Sequence, residues 1–178
     1  MLDVPGGARP TSGRAREALF SILRDSLPGA RVLDLYAGSG ALGIEALSRG
    51  AARAVFVENR PAALDLSLER LGATEPEVEV LRGDASQALP RLLERAERFD
   101  LVFSDPPYGS SAEEIVPREA ARLIAPGGLY ILQVDRTAHP LPEPEGWSIV
   151  QRREYGRNVF LFLTPSSSKL HLRLPEGF

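Results

Sequence analysis

Apolar positions along this chain come in compact blocks rather than in strict alternation with polar ones. Residues 32–36, 53–58, 99–104 and 129–134 each form a short, mostly apolar run, and 78–82 (VEVLR) makes a further short strand segment. Such runs predict strands buried on both faces, because parallel strands covered by helices lack polar alternation. Between them, apolar residues recur at helical spacing. Ala15, Ala18, Leu19, Ile22 and Leu23 predict an amphipathic helix over 13–27, capped by Thr11 or Ser12 and stopped by Pro28-Gly29. Further helices are predicted from Ala41 on, over 61–71 with Asn59 as cap, over 86–97 with Pro90 opening its regular part, and over 113–124. Strands alternating with helices indicate βαβ units and an α/β, doubly wound, Rossmann-like, mostly parallel sheet. The end changes style. Residues 148–154 and 157–163 flank Tyr155-Gly156 without an intervening helix, which predicts a C-terminal antiparallel hairpin. Residues 1–165 are expected to form one domain, including an N-terminal loop and helix over 1–28, with 166–178 as a tail.

The junction after the first strand carries the first chemistry. Within VLDLYAGSGALG, Gly38, Gly40 and Gly43 fit G-x-G-x-x-G between a strand and a helix. Glycine tolerates positive φ there and lets a ligand approach the backbone. Glu58 ends the next strand about 20 residues on, where an acidic group receives ribose hydroxyls. A nucleotide-like cofactor follows. Asp34 bears on which one, since a carboxylate four residues before Gly38 repels a pyrophosphate and suits a cationic ligand. S-adenosyl-L-methionine has a sulfonium, an ammonium and a ribose but no phosphate; an NAD-type site stays open as the alternative. The candidate cofactor residues are Asp34, Tyr36, Ala37, Gly38, Ser39 and Gly40 for the methionine part, Glu58 and Asn59 for the ribose, and Asp84-Ala85 for the base, with Asp105 facing the methyl. Asp84 would serve equally as a helix cap.

Composition narrows the classes. The 178 residues, 43% hydrophobic, suit one globular domain, and no run reaches the ~20 apolar residues of a membrane span. With no cysteine, disulfides, thiolate catalysis and cysteine metal sites are excluded, and the cytoplasm is the expected compartment. His139 and His171 are the only histidines, so no metal is expected. A net charge of −3 gives no overall pull toward nucleic acid, so such binding needs a local patch. Arg9, Arg14 and Arg16, with Thr11, crowd the start of the first helix, where the dipole disfavours cations. They read as a phosphate-contacting patch or as a solvated helix end. A monomer is expected.

A second motif, Asp105-Pro106-Pro107-Tyr108, follows the fourth strand directly. Ligands of open α/β sheets bind outside the carboxyl ends of the strands where the winding reverses, so this loop should face the glycine turn. Consecutive prolines fix the backbone and leave carbonyls without competing N–H groups. A carboxylate beside a fixed carbonyl receives an exocyclic amine, and the Tyr108 ring can stack on a base.

VLDLYAGSGALG, Glu58, GDA and DPPY together are similar to class I S-adenosylmethionine-dependent amino-methyltransferases. RPTSGRAREALF, LDLYAGSGALGIEALSRGA, DPPY and the late YG hairpin resemble more narrowly the RsmD family, over about residues 9–163. The resemblance implies a seven-stranded sheet with its last strand antiparallel. It also implies methylation of a guanine N2 amino group in small-subunit (16S) ribosomal RNA, free or in an assembly intermediate, with Asp105, Pro106, Pro107 and Tyr108 as the catalytic loop. The family's basic, glycine-rich segment before RPT has no counterpart in the eight residues preceding Arg9. Adenine N6 and a protein glutamine amide suit DPPY as well. A nicotinamide oxidoreductase and a non-catalytic RNA-binding assembly factor are the readings outside methyltransferases.

Overall fold

In a computed structural model that describes residues 13–72, 77–106, 117–137 and 144–166, the apolar runs become the strands of one sheet. β1 (Arg31–Leu35), β2 (Arg53–Glu58), β3 (Val78–Arg82), β4 (Phe99–Ser104), β5 (Ile124–Asp135), β6 (Trp147–Tyr155) and β7 (Asn158–Pro165) stand in the order β3-β2-β1-β4-β5-β7-β6. The pairs from β3 across to β5 are parallel, and β7 runs antiparallel to both β5 and β6. The winding reverses between β1 and β4, whose register sets Asp34 beside Phe103 and Leu35 beside Ser104.

Period-two alternation divides the sheet between two cores. Val32, Phe56, Phe103, Ile131 and Phe160 face α1 (Gly13–Ile22), α2 (Ala41–Ser48) and α3 (Ala62–Leu71), meeting Leu19, Phe20, Ala46 and Leu64. Leu33, Val55, Val102, Tyr130 and Leu161 face α4 (Ala85–Glu94) and the 3₁₀ segment Arg118–Leu123, meeting Leu89, Leu92 and Leu123. Burying each such side chain contributes about 1.5–3 kcal/mol. Phe20 packs on Phe103 with ring centroids 5.7 Å apart, close to the carboxyl end of β4. From Phe20 the chain descends to Ala30, ahead of β1, so the start of α1 stands at the sheet's carboxyl edge. At the opposite edge Arg31, Glu97, Arg53, Glu79 and Arg95 form one continuous ion-pair ladder. Among the described residues no helix is long and apolar enough to cross a membrane.

Several predicted boundaries move. α1 ends at Ile22 and a 3₁₀ turn, Arg24–Ser26, completes the predicted 13–27 segment. Pro61, not Asn59, precedes α3, because the proline's fixed φ already enters the helix. α4 begins at Ala85 with Pro90 inside it; the ring takes the donor from the Ser86 carbonyl, on an exposed residue. The helix expected over 113–124 is a short 3₁₀ segment in its described part. β5 starts at Ile124, five residues early, because Gly128 lets it close on β4: a Cβ there would lie 2.9 Å from the Asp100 carbonyl oxygen.

Candidate functional site

The glycine turn is built on commitments of its own backbone. The Gly40 N–H donates to the Ala37 carbonyl at 2.7 Å, closing the turn, and the Ala37 N–H donates to the Val57 carbonyl at 3.0 Å. Gly38 and Gly40 have φ of 57° and 79°, values open to glycine at no steric cost. A Cβ on Gly38 would meet nothing within 4 Å, so its outer side is open. On Gly40 a Cβ would strike Leu64 at 2.5 Å, and on Gly43 it would strike the Phe56 ring at 2.3 Å, so those two serve helix–sheet packing. Tyr36, leaving β1, also has a positive φ of 60°, a strained conformation for a bulky residue of the sort that concentrates at functional sites. Ser39 is exposed and Ala37 buried.

Three carboxylates from three strands stand on the sheet face covered by α1 and α2. Asp34, 2% exposed in β1, accepts the Gly43 N–H through Oδ2 at 2.9 Å. Glu58, half-buried at the end of β2, accepts the Gly38 N–H through Oε2 at 2.7 Å and the Arg60 N–H through Oε1 at 2.8 Å. Asp105 follows β4 and is half-buried. Burial pushes the Asp34 carboxyl up to about 7; the Gly43 hydrogen bond opposes this, and the charges of Asp105 and Glu58 add to it. Burial alone pushes Asp105 up to about 6.

The other expected residues divide. The Gly83 N–H donates to the Glu58 carbonyl at 3.1 Å, which brings the ends of β2 and β3 together. Asp84, beside it, is the N-cap of α4: its Oδ1 accepts the Gln87 N–H at 3.1 Å and the Ser86 hydroxyl at 2.5 Å. Those bonds, led by that of Ser86, hold its carboxyl below the usual range. Ala85 is buried as the first residue of α4, and Asn59 is exposed. Arg14 is exposed at the start of α1; Arg16 is partly neutralised by Glu45 at 3.8 Å. Pro106 is half-buried beside Asp105. Arg9, Thr11, Pro107 and Tyr108 lie outside the described residues.

Sequence reasoning missed the polar residues behind Asp105. Gln133, buried near the end of β5, donates from Nε2 to Asp105 Oδ2 at 3.3 Å and to Asn158 Oδ1 of β7 at 3.4 Å. A glutamine within the apolar run LYILQV was the available signal. On the other face Ser104 and Tyr130 are fully buried and hydrogen-bonded, and burial raises the Tyr130 hydroxyl pKa. A cleft of about 410 Å³ lies at the opposite edge of the sheet, lined by Asp25, Asp100 and Gly127-Gly128, and takes in none of these residues.

The family model described as Conserved hypothetical protein 95 matches residues 2–164. Ribosomal RNA small subunit methyltransferase D of Escherichia coli K12 is 34% identical over 168 residues, covering 89% of this chain and 81% of that protein. A solved hypothetical protein of Thermus thermophilus superposes with TM-score 0.73 at 35% identity, covering 92% of both chains. SMU.776, solved in complex with SAH, shares the fold at TM-score 0.70 and 13% identity, covering 83% of this chain and 48% of that one.

Proposed function

The chain belongs to the RsmD family, matched by the model described as Conserved hypothetical protein 95, and from that membership and the site we propose a methyltransferase that uses S-adenosylmethionine on a guanine N2 amino group of small-subunit ribosomal RNA. The observation that carries the cofactor reading is the state of the glycine turn. Three of its backbone N–H groups, on Gly38, Gly40 and Gly43, already donate to Glu58, Ala37 and Asp34. A pyrophosphate needs free N–H groups at this helix start and would meet carboxylates instead. A cation finds what it needs: burial first, and the charges of Asp105 and Glu58 after it, push the Asp34 carboxyl up to about 7, and a bound positive charge would favour its ionised form.

When bound, the cofactor supplies an electrophilic methyl on a sulfonium. The remaining work falls to the chain. Glu58 accepts ribose hydroxyls with lone pairs its two backbone donors leave over. The Asp84-Ala85 turn, tied to Glu58 through Gly83, flanks the base. Asp105 and the Pro106 carbonyl accept the hydrogens of the target amine, which aims the nitrogen lone pair away from them and at the methyl. As nitrogen gains positive charge, the ionised Asp105 stabilises it and can take the departing proton, having a carboxyl pKa of about 6. Tyr108 stacks on the base, which must leave any helical stack to reach the site. Arg14 and Arg16 at the start of α1, together with the preceding Arg9 and Thr11 of the sequence, are the residues that contact phosphate in this reading.

The deciding experiment is tritium transfer from labelled S-adenosylmethionine to small subunits, naked ribosomal RNA and total protein, followed by nucleoside analysis. N2-methylguanosine in the RNA is the expected product. N6-methyladenosine, or label in protein, overturns the base assignment; absence of S-adenosylhomocysteine binding in calorimetry overturns the cofactor.

A further inference from the structure

We propose that Gln133 is a positioning residue for Asp105 and that Asn158 fixes which way its amide points. The inference rests on the role given to Asp105 above. Gln133 is 6% exposed, and its Nε2 lies between two oxygens, Asp105 Oδ2 at 3.3 Å and Asn158 Oδ1 at 3.4 Å. An amide nitrogen carries two hydrogens, one for each oxygen, and a turned-over amide would set Oε1 against both. The partners therefore dictate the orientation. The strand pairing supports it: Gln133 sits opposite Phe160 and Asp135 opposite Asn158, so β7 carries Asn158 to the end of β5 where Gln133 needs it.

Two consequences follow for Asp105. Its Oδ2 is engaged from β5, and the incoming amine is left to Oδ1. Its charged form also gains a donor in surroundings that otherwise oppose ionisation. Burial pushes the Asp105 carboxyl up to about 6; Asp34 of β1 and Glu58 of β2 stand on the same face, and Asp135 beyond Gln133 is answered by Arg157 at 3.7 Å. Arg14 and Arg16 stand at the start of α1, with Arg16 shared with Glu45. Gln133 is thus an uncharged donor that favours the ionised form of a half-buried carboxyl without adding a cation that would repel the cofactor.

The test compares wild type with Gln133→Leu, the isosteric Gln133→Glu and Asn158→Leu in two readouts. Carboxyl-carbon NMR titration of Asp105 in the ligand-free protein should show its midpoint rising by about one pH unit in Gln133→Leu, more in Gln133→Glu, and less in Asn158→Leu. Methyl transfer should then lose about twofold in kcat at neutral pH and approach a tenfold loss below about pH 5, recover as pH rises past the shifted midpoint, and leave KM for the cofactor unchanged. An unmoved Asp105 midpoint with only a lower melting temperature makes Gln133 a packing residue and overturns the proposal. If the wild-type protein methylates no ribosomal RNA, the functional reading fails while the NMR titration still decides the role of Gln133.

Discussion

The Asp34 carboxylate in β1 and the Gly43 N–H in α2 are joined by a 2.9 Å hydrogen bond that spans the glycine turn from one side to the other. It fixes the helix start to the strand end with a charge the helix dipole favours. It also holds an almost fully buried carboxyl with two further carboxylates in electrostatic reach. Fold and site want different things from this residue: the fold prefers it neutral, and a cationic ligand prefers it charged.

That conflict has a pH signature. The Asp34 carboxyl titrates at about 7 in the folded chain against 3.8 ordinarily, so the folded state holds the proton longer than the unfolded one. Its stabilising contribution is complete below about pH 4 and is lost as pH rises through about 7. Asp34→Asn keeps an acceptor for Gly43 and removes the titration. In urea denaturation the variant should gain about 2–4 kcal/mol on wild type between about pH 4 and 8, since each pH unit separating the folded and unfolded midpoints is worth about 1.4 kcal/mol. It should bind S-adenosylhomocysteine more weakly and lose the proton release expected of wild type on binding at neutral pH. Parallel stability profiles for the two proteins would mean that Asp34 is already ionised.

Glu58 is expected to act on ligand more than on fold. Its two oxygens hold the Gly38 and Arg60 N–H groups at a half-exposed position where water can replace it. Glu58→Ala should weaken S-adenosylhomocysteine by about 1–3 kcal/mol, the usual worth of a hydrogen bond to a charged group, with little change in melting temperature. Equal affinity in calorimetry would remove Glu58 from the ribose site.

How legible all this was depended on how local the cause was. β2 and β4 fall on their predicted limits, since a strand buried on both faces shows itself as an apolar run, and the half-exposed edge strand β3 does so as well. The three glycines were legible because turn geometry and close packing leave few alternatives. Helix starts were legible to within a residue, at Gly13, Ala41, Ala62 and Ala85, but two caps were not: Pro61 stands where Asn59 was expected, and Asp84 caps α4, a lone aspartate after glycine looking the same as a ligand-facing one. The length of β5 depends on how closely Gly128 approaches Asp100, a contact between strands that spacing does not reveal. Gln133 escaped for a related reason, as its partners come from the end of β4 and from β7, and only the strand order brings them together.

At the far edge of the sheet, Glu97 joins Arg31 and Arg53 while only 12% exposed. Glu97→Ala leaves two guanidiniums of β1 and β2 facing each other and should cost about 1–3 kcal/mol, less than a fully buried pair because Arg31 reaches solvent. Methyl transfer by the folded protein should not change. A loss of kcat without loss of stability would show that this edge communicates with the site.

RNA affinity should depend on Arg14 more than on Arg16. Arg14 is exposed, whereas Arg16 shares charge with Glu45, which also binds Arg49 at 2.7 Å. Arg14→Glu should weaken RNA binding whatever its sequence and lower the slope of log K against log salt by about one. Glu45→Gln should strengthen binding by releasing Arg16. Salt slopes equal to wild type in both variants would make the start of α1 a solvated helix end.

The sharpest test concerns Asp105 and the amide behind it. Asp105→Asn keeps shape but removes charge, and Gln133 offers only hydrogens to that position. The introduced amide must therefore turn its oxygen to Gln133 and its NH2 toward the substrate amine, donor against donor. Charge and orientation fail together, so kcat should fall by about 10²-fold or more, near 2.7 kcal/mol. Adding Gln133→Glu separates the two effects: the new carboxylate accepts the introduced NH2 and returns its oxygen to the substrate. The double variant should exceed Asp105→Asn several-fold and stay below wild type, because orientation comes back while the charge stands one residue too far away. No recovery would put the loss on charge alone. Asp105→Ala removes both functions and should be nearly inactive while binding S-adenosylhomocysteine normally. Near-normal turnover in that variant would take Asp105 out of the chemistry, and the amino-methyltransferase reading with it.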